Sequence, residues 1–160
     1  MPTSTIALVL ALAISAPASA QGGGERLTPE ARVDAIVAAR GTSLEVGGGV
    51  QVPAGSYTRI AVIGAAGTDV AGGSRVGSGR LDVVGRFLLD PFRQSSLGLS
   101  VGAGVSLRAR SGDHVRPYLL TVVDVEGPRA GNGVAPSLQV GVGGGVRLGA
   151  GVRWLPRQAR

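Results

Sequence analysis

The chain has 160 residues, 28 of them glycine, a formal net charge of +6 and no cysteine. The absent thiols exclude a disulfide framework and a thiolate metal site, and a single histidine argues against a transition-metal centre, so no cofactor is expected. All 16 basic residues are arginine and they are scattered, without a basic stripe interleaved with aromatics, which argues against nucleic-acid recognition.

Residues Thr5 to Ala16 form an uncharged run of small and apolar side chains, followed by Pro17 and Ala18-Ser19-Ala20. Small-x-small is the pattern that the subsites of a signal peptidase accept, and the run is shorter than the ~20 residues that a spanning helix needs. Residues 1–20 are therefore expected to be a cleaved signal peptide. Residues 21–30, with Gly22-Gly23-Gly24, read as a flexible leader, and residues 31–160 as a single domain.

Thr28-Pro29-Glu30 has the chemistry of a helix start: a capping Thr, Pro in the first turn and an acid near the N-terminus. Arg32 to Ala39 can equally be a first strand, and local pattern does not separate the two. Beyond this point the signal is period two, which places successive side chains on opposite faces of a strand. Leu44, Val46, Gly48, Val50 and Val52 share one face. Pro53-Ala54-Gly55-Ser56 is a turn by composition. Tyr57 to Ala66 is a second run, and Gly67 to Gly79 reads as a long Gly-rich loop. Arg80 to Leu89 is a strand ended by Asp90-Pro91. Leu97 to Ala109 alternates most cleanly, with Leu97, Leu99, Val101, Ala103, Val105 and Leu107 opposed to Gly98, Ser100, Gly102, Gly104, Ser106 and Arg108. Arg116 to Glu126 is another strand, and Gly127 to Pro136 a turn region. From Leu138 to Trp154 the alternation never slips, so this stretch is one long strand or a hairpin whose loop has an odd number of residues.

The count is six to eight strands, many near the 9–11 residues that a membrane-crossing strand requires. One face is aliphatic, the other glycine, serine, glutamine and arginine. A soluble sheet would set larger polar side chains toward water than rows of glycine. Reversing the sides resolves this: aliphatic residues face lipid, and glycines inside a narrow barrel make room for arginines on neighbouring strands. The fold class predicted is all-β, an antiparallel up-and-down barrel of about eight strands.

With the Ala18-Ser19-Ala20 signal, the alternating strand Leu97 to Ala109 and the Gly-rich terminal strand to Trp154, the chain resembles small bacterial outer-membrane β-barrel proteins. That resemblance implies an outer-membrane location, with outer-membrane lipid, lipopolysaccharide included, as the surrounding partner, no nucleic acid and a monomer. It also implies short turns at Pro53–Ser56 and Asp90–Ser96 on one side, and a long loop at Gly67–Gly79 on the other.

Charged residues at strand positions, Glu45, Asp82, Arg86, Arg108, Arg116, Asp124, Glu126, Arg147 and Arg153, are expected to form ion pairs that plug the lumen, since charges withdrawn from water must be paired. Tyr57, Phe87, Phe92 and Trp154 are expected at one membrane interface and Tyr118 at the other. The function expected is non-enzymatic: a structural, adhesive or envelope-maintenance barrel. Two other readings are a soluble periplasmic or secreted binding module, and an outer-leaflet lipid-modifying enzyme using His114 of the loop Ser111-Gly112-Asp113-His114 as general base.

Overall fold

A computed structural model describes residues 27–39, 41–90, 96–131 and 133–155. The predicted signal peptide, most of the leader and Phe92 lie outside the described residues. Eight strands follow one another: β1 (Thr28–Ala38), β2 (Gly41–Pro53), β3 (Thr58–Ala71), β4 (Ser74–Leu88), β5 (Gly98–Arg110), β6 (Arg116–Glu126), β7 (Val134–Val142) and β8 (Val146–Trp154). Each pairs antiparallel with the next, and β1 closes on β8, giving a closed up-and-down barrel with no free edge.

The aliphatic face points outward. Leu99 and Val101 are 40% exposed and Val105 44%, whereas Ser100 is 6% exposed and Ser106 is fully buried. Aliphatic side chains also meet directly across strands on the outside, as in Val83 with Val105, Leu81 with Leu107, Val101 with Val123 and Val140 with Leu148. An exterior so apolar has no stabilising counterpart in water but suits hydrocarbon, where closing the sheet pairs its two end strands, β1 and β8.

Two readings that pattern left open resolve, and other expectations change. The region open to helix or strand is strand, and it begins at Thr28, inside the predicted leader: Thr28, Glu30, Arg32, Asp34 and Ile36 alternate into the interior. Gly67–Gly79 is not a loop. It is the end of β3, the turn Gly72-Gly73 and the start of β4, with φ of 56° and 81° at the two turn glycines. Positive φ at both central residues is what a two-residue hairpin turn of primed type demands, so the glycines there fold the chain back instead of loosening it. The stretch from Leu138 to Trp154 is a hairpin whose odd loop, Gly143-Gly144-Gly145, explains why the parity never slips. Finally, the usual disparity in loop length is reversed. Among the described residues, the end opposite the chain termini, here called the far end, carries residues 39, 72–73, 111–115 and 143–145, while the terminal end carries residues 54–57, 89–90, 96–97, 127–131 and 133.

Candidate functional site: a charged lumen and its mouth

The interior is a set of ion pairs laid across the barrel from strands far apart in sequence. At the terminal end, Glu30 Oε2 accepts from Arg86 and Arg153, each at 3.1 Å, and from the Gln51 amide at 2.6 Å. Arg153 also holds both oxygens of Asp124 at 2.6 Å in a bidentate pair, and reaches Glu126 at 3.1 Å. The half-buried Arg59 lies 3.8 Å from Glu126. Three carboxylates (Glu30, Asp124, Glu126) thus face three guanidinium groups (Arg59, Arg86, Arg153). The free space among them is about 20 Å³, of the order of one water.

A second cluster lies deeper. Asp34 and Glu45 are directly opposite on β1 and β2, both fully buried, an arrangement that repels unless a cation intervenes. Arg80 supplies it, at 2.5 Å from Asp34 and 3.2 Å from Glu45. Arg32 bonds Asp34 at 2.8 Å and also donates to Gln139, and Arg147 reaches Asp82 at 2.7 Å. Again three acids (Asp34, Glu45, Asp82) meet three arginines (Arg32, Arg80, Arg147). Arg32 lies 3.7 Å from Glu30 and links the two clusters. Taking so many charges from water is costly, which only close pairing offsets; the planar guanidinium fork, able to serve two carboxylates at once, suits that role.

Glycine makes the clusters possible. Arg32 is opposed by Gly47 on β2 and by Gly151 on β8. A Cβ on Gly149 would collide with the Asp34 carboxylate and the Arg32 guanidinium. Between the charged groups of β4 and β6 lies an apolar patch: Val84, Leu120 and Val122 pack together, and a Cβ on Gly102 would press on both valines.

Of the nine predicted lumen charges, Glu45, Asp82, Arg86, Asp124, Glu126, Arg147 and Arg153 are buried in these clusters. Arg108 is also inward but sits at the far mouth, half-buried, donating to Ser43 Oγ at 2.7 Å and to the Gly144 carbonyl at 3.2 Å. Arg116 is the exception. It stands exposed on the far rim and pairs with Asp113 at 3.0 Å, because β6 only begins there and the lumen has already opened. The residues that pattern alone missed are Glu30, Arg32 and Asp34, hidden by the helix-like start of β1, Arg59 near the start of β3, and Arg80, the first residue of the predicted strand Arg80 to Leu89.

Among the aromatics, Tyr57, Phe87 and Trp154 are outward and gathered at the terminal end, with the Tyr57 and Phe87 rings stacked at 5.9 Å. Tyr118 is not on the lipid face: it shares the inward parity of Leu120 and Val122 and packs where a Gly144 Cβ would be. Asp113 accepts the backbone N–H of His114 and the Arg116 guanidinium, and these hold its carboxyl below the usual aspartate range. Among the described residues no hydrogen bond joins the imidazole to Ser111 or Asp113.

No family model matches the chain, and no curated protein matches it. Among solved structures, the crystal structure of Neisserial surface protein A matches with a TM-score of 0.61 at 16% identity, over 80% of this chain and 94% of that one. The solution structure of a de novo designed protein, TMB2.3, matches with a TM-score of 0.51 at 14% identity, over 86% of this chain and 99% of that one. At these identities the likeness carries the fold and nothing finer, and the fold is that of an outer-membrane-type eight-stranded β-barrel.

Proposed function

We propose that this protein is a non-conducting, non-enzymatic barrel of the bacterial outer membrane, delivered by its N-terminal signal, working as a monomer in contact with outer-membrane lipid, and serving a structural or envelope-maintenance role. The observation that carries the reading is the pairing of six acids with six arginines across a lumen otherwise filled by an apolar patch. An ion entering would have to displace bonds that already compensate buried charge, which costs several kcal/mol per group exposed to mismatch. The far-end turns, as short as Gly72-Gly73, offer little surface for adhesive recognition, so a structural role is favoured over adhesion.

The test is reconstitution into a planar bilayer. The protein inserts without discrete conductance steps. Steady unitary steps at physiological salt would overturn the sealed-lumen reading, and recovery of the protein in the osmotic-shock fluid in place of the membrane pellet would favour the soluble binding module. For the lipid-modifying alternative, His114→Ala should leave the lipid species of membrane extracts unchanged.

A further inference from the structure

The far mouth holds a cavity of about 350 Å³, whose lining includes Ser43, Ser78, Arg108, Arg110, Arg116 and Tyr118. Its charges are uneven. Asp69 and Asp113 are the acids of the lining, and each faces an arginine of its own, Arg110 at 3.7 Å and Arg116 at 3.0 Å. Arg108 has only neutral acceptors, and no carboxylate among the described residues pairs with it. It is also crowded by like charge, since Arg80 on β4 and Arg116 on β6 stand directly opposite it. Diagonal to it on β4, opposite Arg110, Ser78 is 5% exposed, and its hydroxyl makes no hydrogen bond within the protein. An unmatched guanidinium and an unused hydroxyl facing one cavity are the donors that a phosphate oxygen takes.

The wall of this mouth is lowest on one side. β6 pairs with β7 through only six residues, Thr121 to Glu126, so Arg116 to Leu120 have no register partner on β7. What stands beside them is the turn Gly143-Gly144-Gly145, which has no side chains, and Arg108 bonds its Gly144 carbonyl from within. On the outer surface of the same notch lies Leu119, at 84% the most exposed large apolar side chain described, flanked by Val142 and Val146 at 61% and 52%. Apolar surface outside, a glycine sill and an uncompensated cation behind it form the shape of an amphiphile: tail along the barrel wall, anionic head over the sill.

We infer that the far mouth is a binding site for the phosphate headgroup of an anionic membrane lipid, entered from the bilayer across the Gly143–Gly145 turn, with Arg108 and Ser78 as its principal donors. The inference rests on the membrane reading above. The exposed rim and surrounding solvent weaken each ion pair, so selectivity for anionic over zwitterionic lipid is modest, about tenfold, or one decade in Kd.

The experiment uses the folded barrel in nanodiscs of phosphatidylcholine containing a minor fraction of phosphatidylglycerol, with native mass spectrometry of the released protein. Incorporation into nanodiscs and heat-modifiable gel migration report the barrel itself, so failure there strikes the membrane reading, and failure of lipid retention in an intact barrel strikes only the site. Wild type retains phosphatidylglycerol in preference to phosphatidylcholine. Arg108→Gln loses about tenfold of that preference, and Arg75→Gln, exposed on the far-end β3–β4 hairpin outside the cavity, leaves it unchanged. If Arg108→Gln does not fold, Arg110→Gln serves as the second variant, with a few-fold loss expected. A competing arm adds inorganic phosphate. Displacement of the lipid at millimolar concentration supports a shared phosphate site, whereas phosphate binding without any lipid retention overturns the lipid as its source. Retention indifferent to headgroup charge, or unaltered in both arginine variants, overturns the site.

Discussion

Arg147 of β8 donates to Asp82 of β4 at 2.7 Å, and these strands lie four places apart in a ring of eight, on opposite walls of the barrel. One ion pair therefore bridges the whole lumen. Its two ends are not equally supported. Asp82 also has Arg80 at 3.5 Å, whereas the other side-chain bond of Arg147 is to the Ser106 hydroxyl at 3.3 Å. Removing the acid thus leaves the worse-matched charge. Asp82→Leu should cost about 3–5 kcal/mol, the range for breaking a buried pair, and Arg147→Met less. The double variant should recover most of the loss, since two apolar side chains strand no charge. Urea unfolding in lipid vesicles measures all three; equal and additive losses would show that the pair is not coupled.

Glycine placement gives a paired prediction. Gly149→Ala puts a methyl group into the Arg32–Asp34 ion pair and should cost about 1–3 kcal/mol, as overpacking does. Gly64→Ala faces outward, meets nothing within 4 Å and has an ordinary strand backbone, so it should be neutral or stabilise by about 0.4–1 kcal/mol through the unfolded chain. The same unfolding assay compares them.

The exterior should respond to charge by depth. Val105, near the centre of β5, faces outward opposite Val83. Val105→Arg should cost about 2–4 kcal/mol and Thr42→Arg, exposed near the far rim, about 0–1 kcal/mol. Equal costs at the two positions would place both in the same solvent.

Asp113 gives a pH-dependent prediction outside the spanning strands. The backbone N–H of His114 is the leading cause of its lowered carboxyl pKa, with Arg116 second. Because the folded value lies below the unfolded one, the loop's stabilisation is present above the unfolded aspartate pKa and is lost as pH falls through the lower folded value. An NMR titration should place the Asp113 midpoint below that of a free aspartate, and Arg116→Ala should return it only partway. Full return would make the guanidinium, not the backbone, the main cause.

Much of this architecture was legible because alternation is a strong signal wherever both faces are chemically distinct. The stretch from Leu97 to Ala109 assigned its own sides, and the unbroken parity from Leu138 to Trp154 already required an odd loop if it turned. Reading failed where two principles used the same residues. Thr28-Pro29-Glu30 carries helix-start chemistry, yet Glu30, Arg32 and Asp34 are an inward row, and Arg153 on Glu30 and Arg80 on Asp34 lie more than forty positions away. No local rule announces such partners. The Gly67–Gly79 segment failed for another reason: glycine marks both loops and tight strand packing, and a Gly67 Cβ would run into the β2 backbone at Leu44 and Glu45. Residue type points Tyr118 to an interface, whereas its parity with Leu120 puts it inside.

The central claim is that the aliphatic face lies in hydrocarbon and the charged face within the barrel. Since the chain has no cysteine, a single spin label can be attached cleanly at Val105→Cys in protein reconstituted into lipid vesicles. The claim predicts strong relaxation by oxygen, which concentrates in the bilayer, and weak relaxation by a water-soluble nickel chelate. The reverse order, with the label open to the nickel reagent and shielded from oxygen, would contradict it.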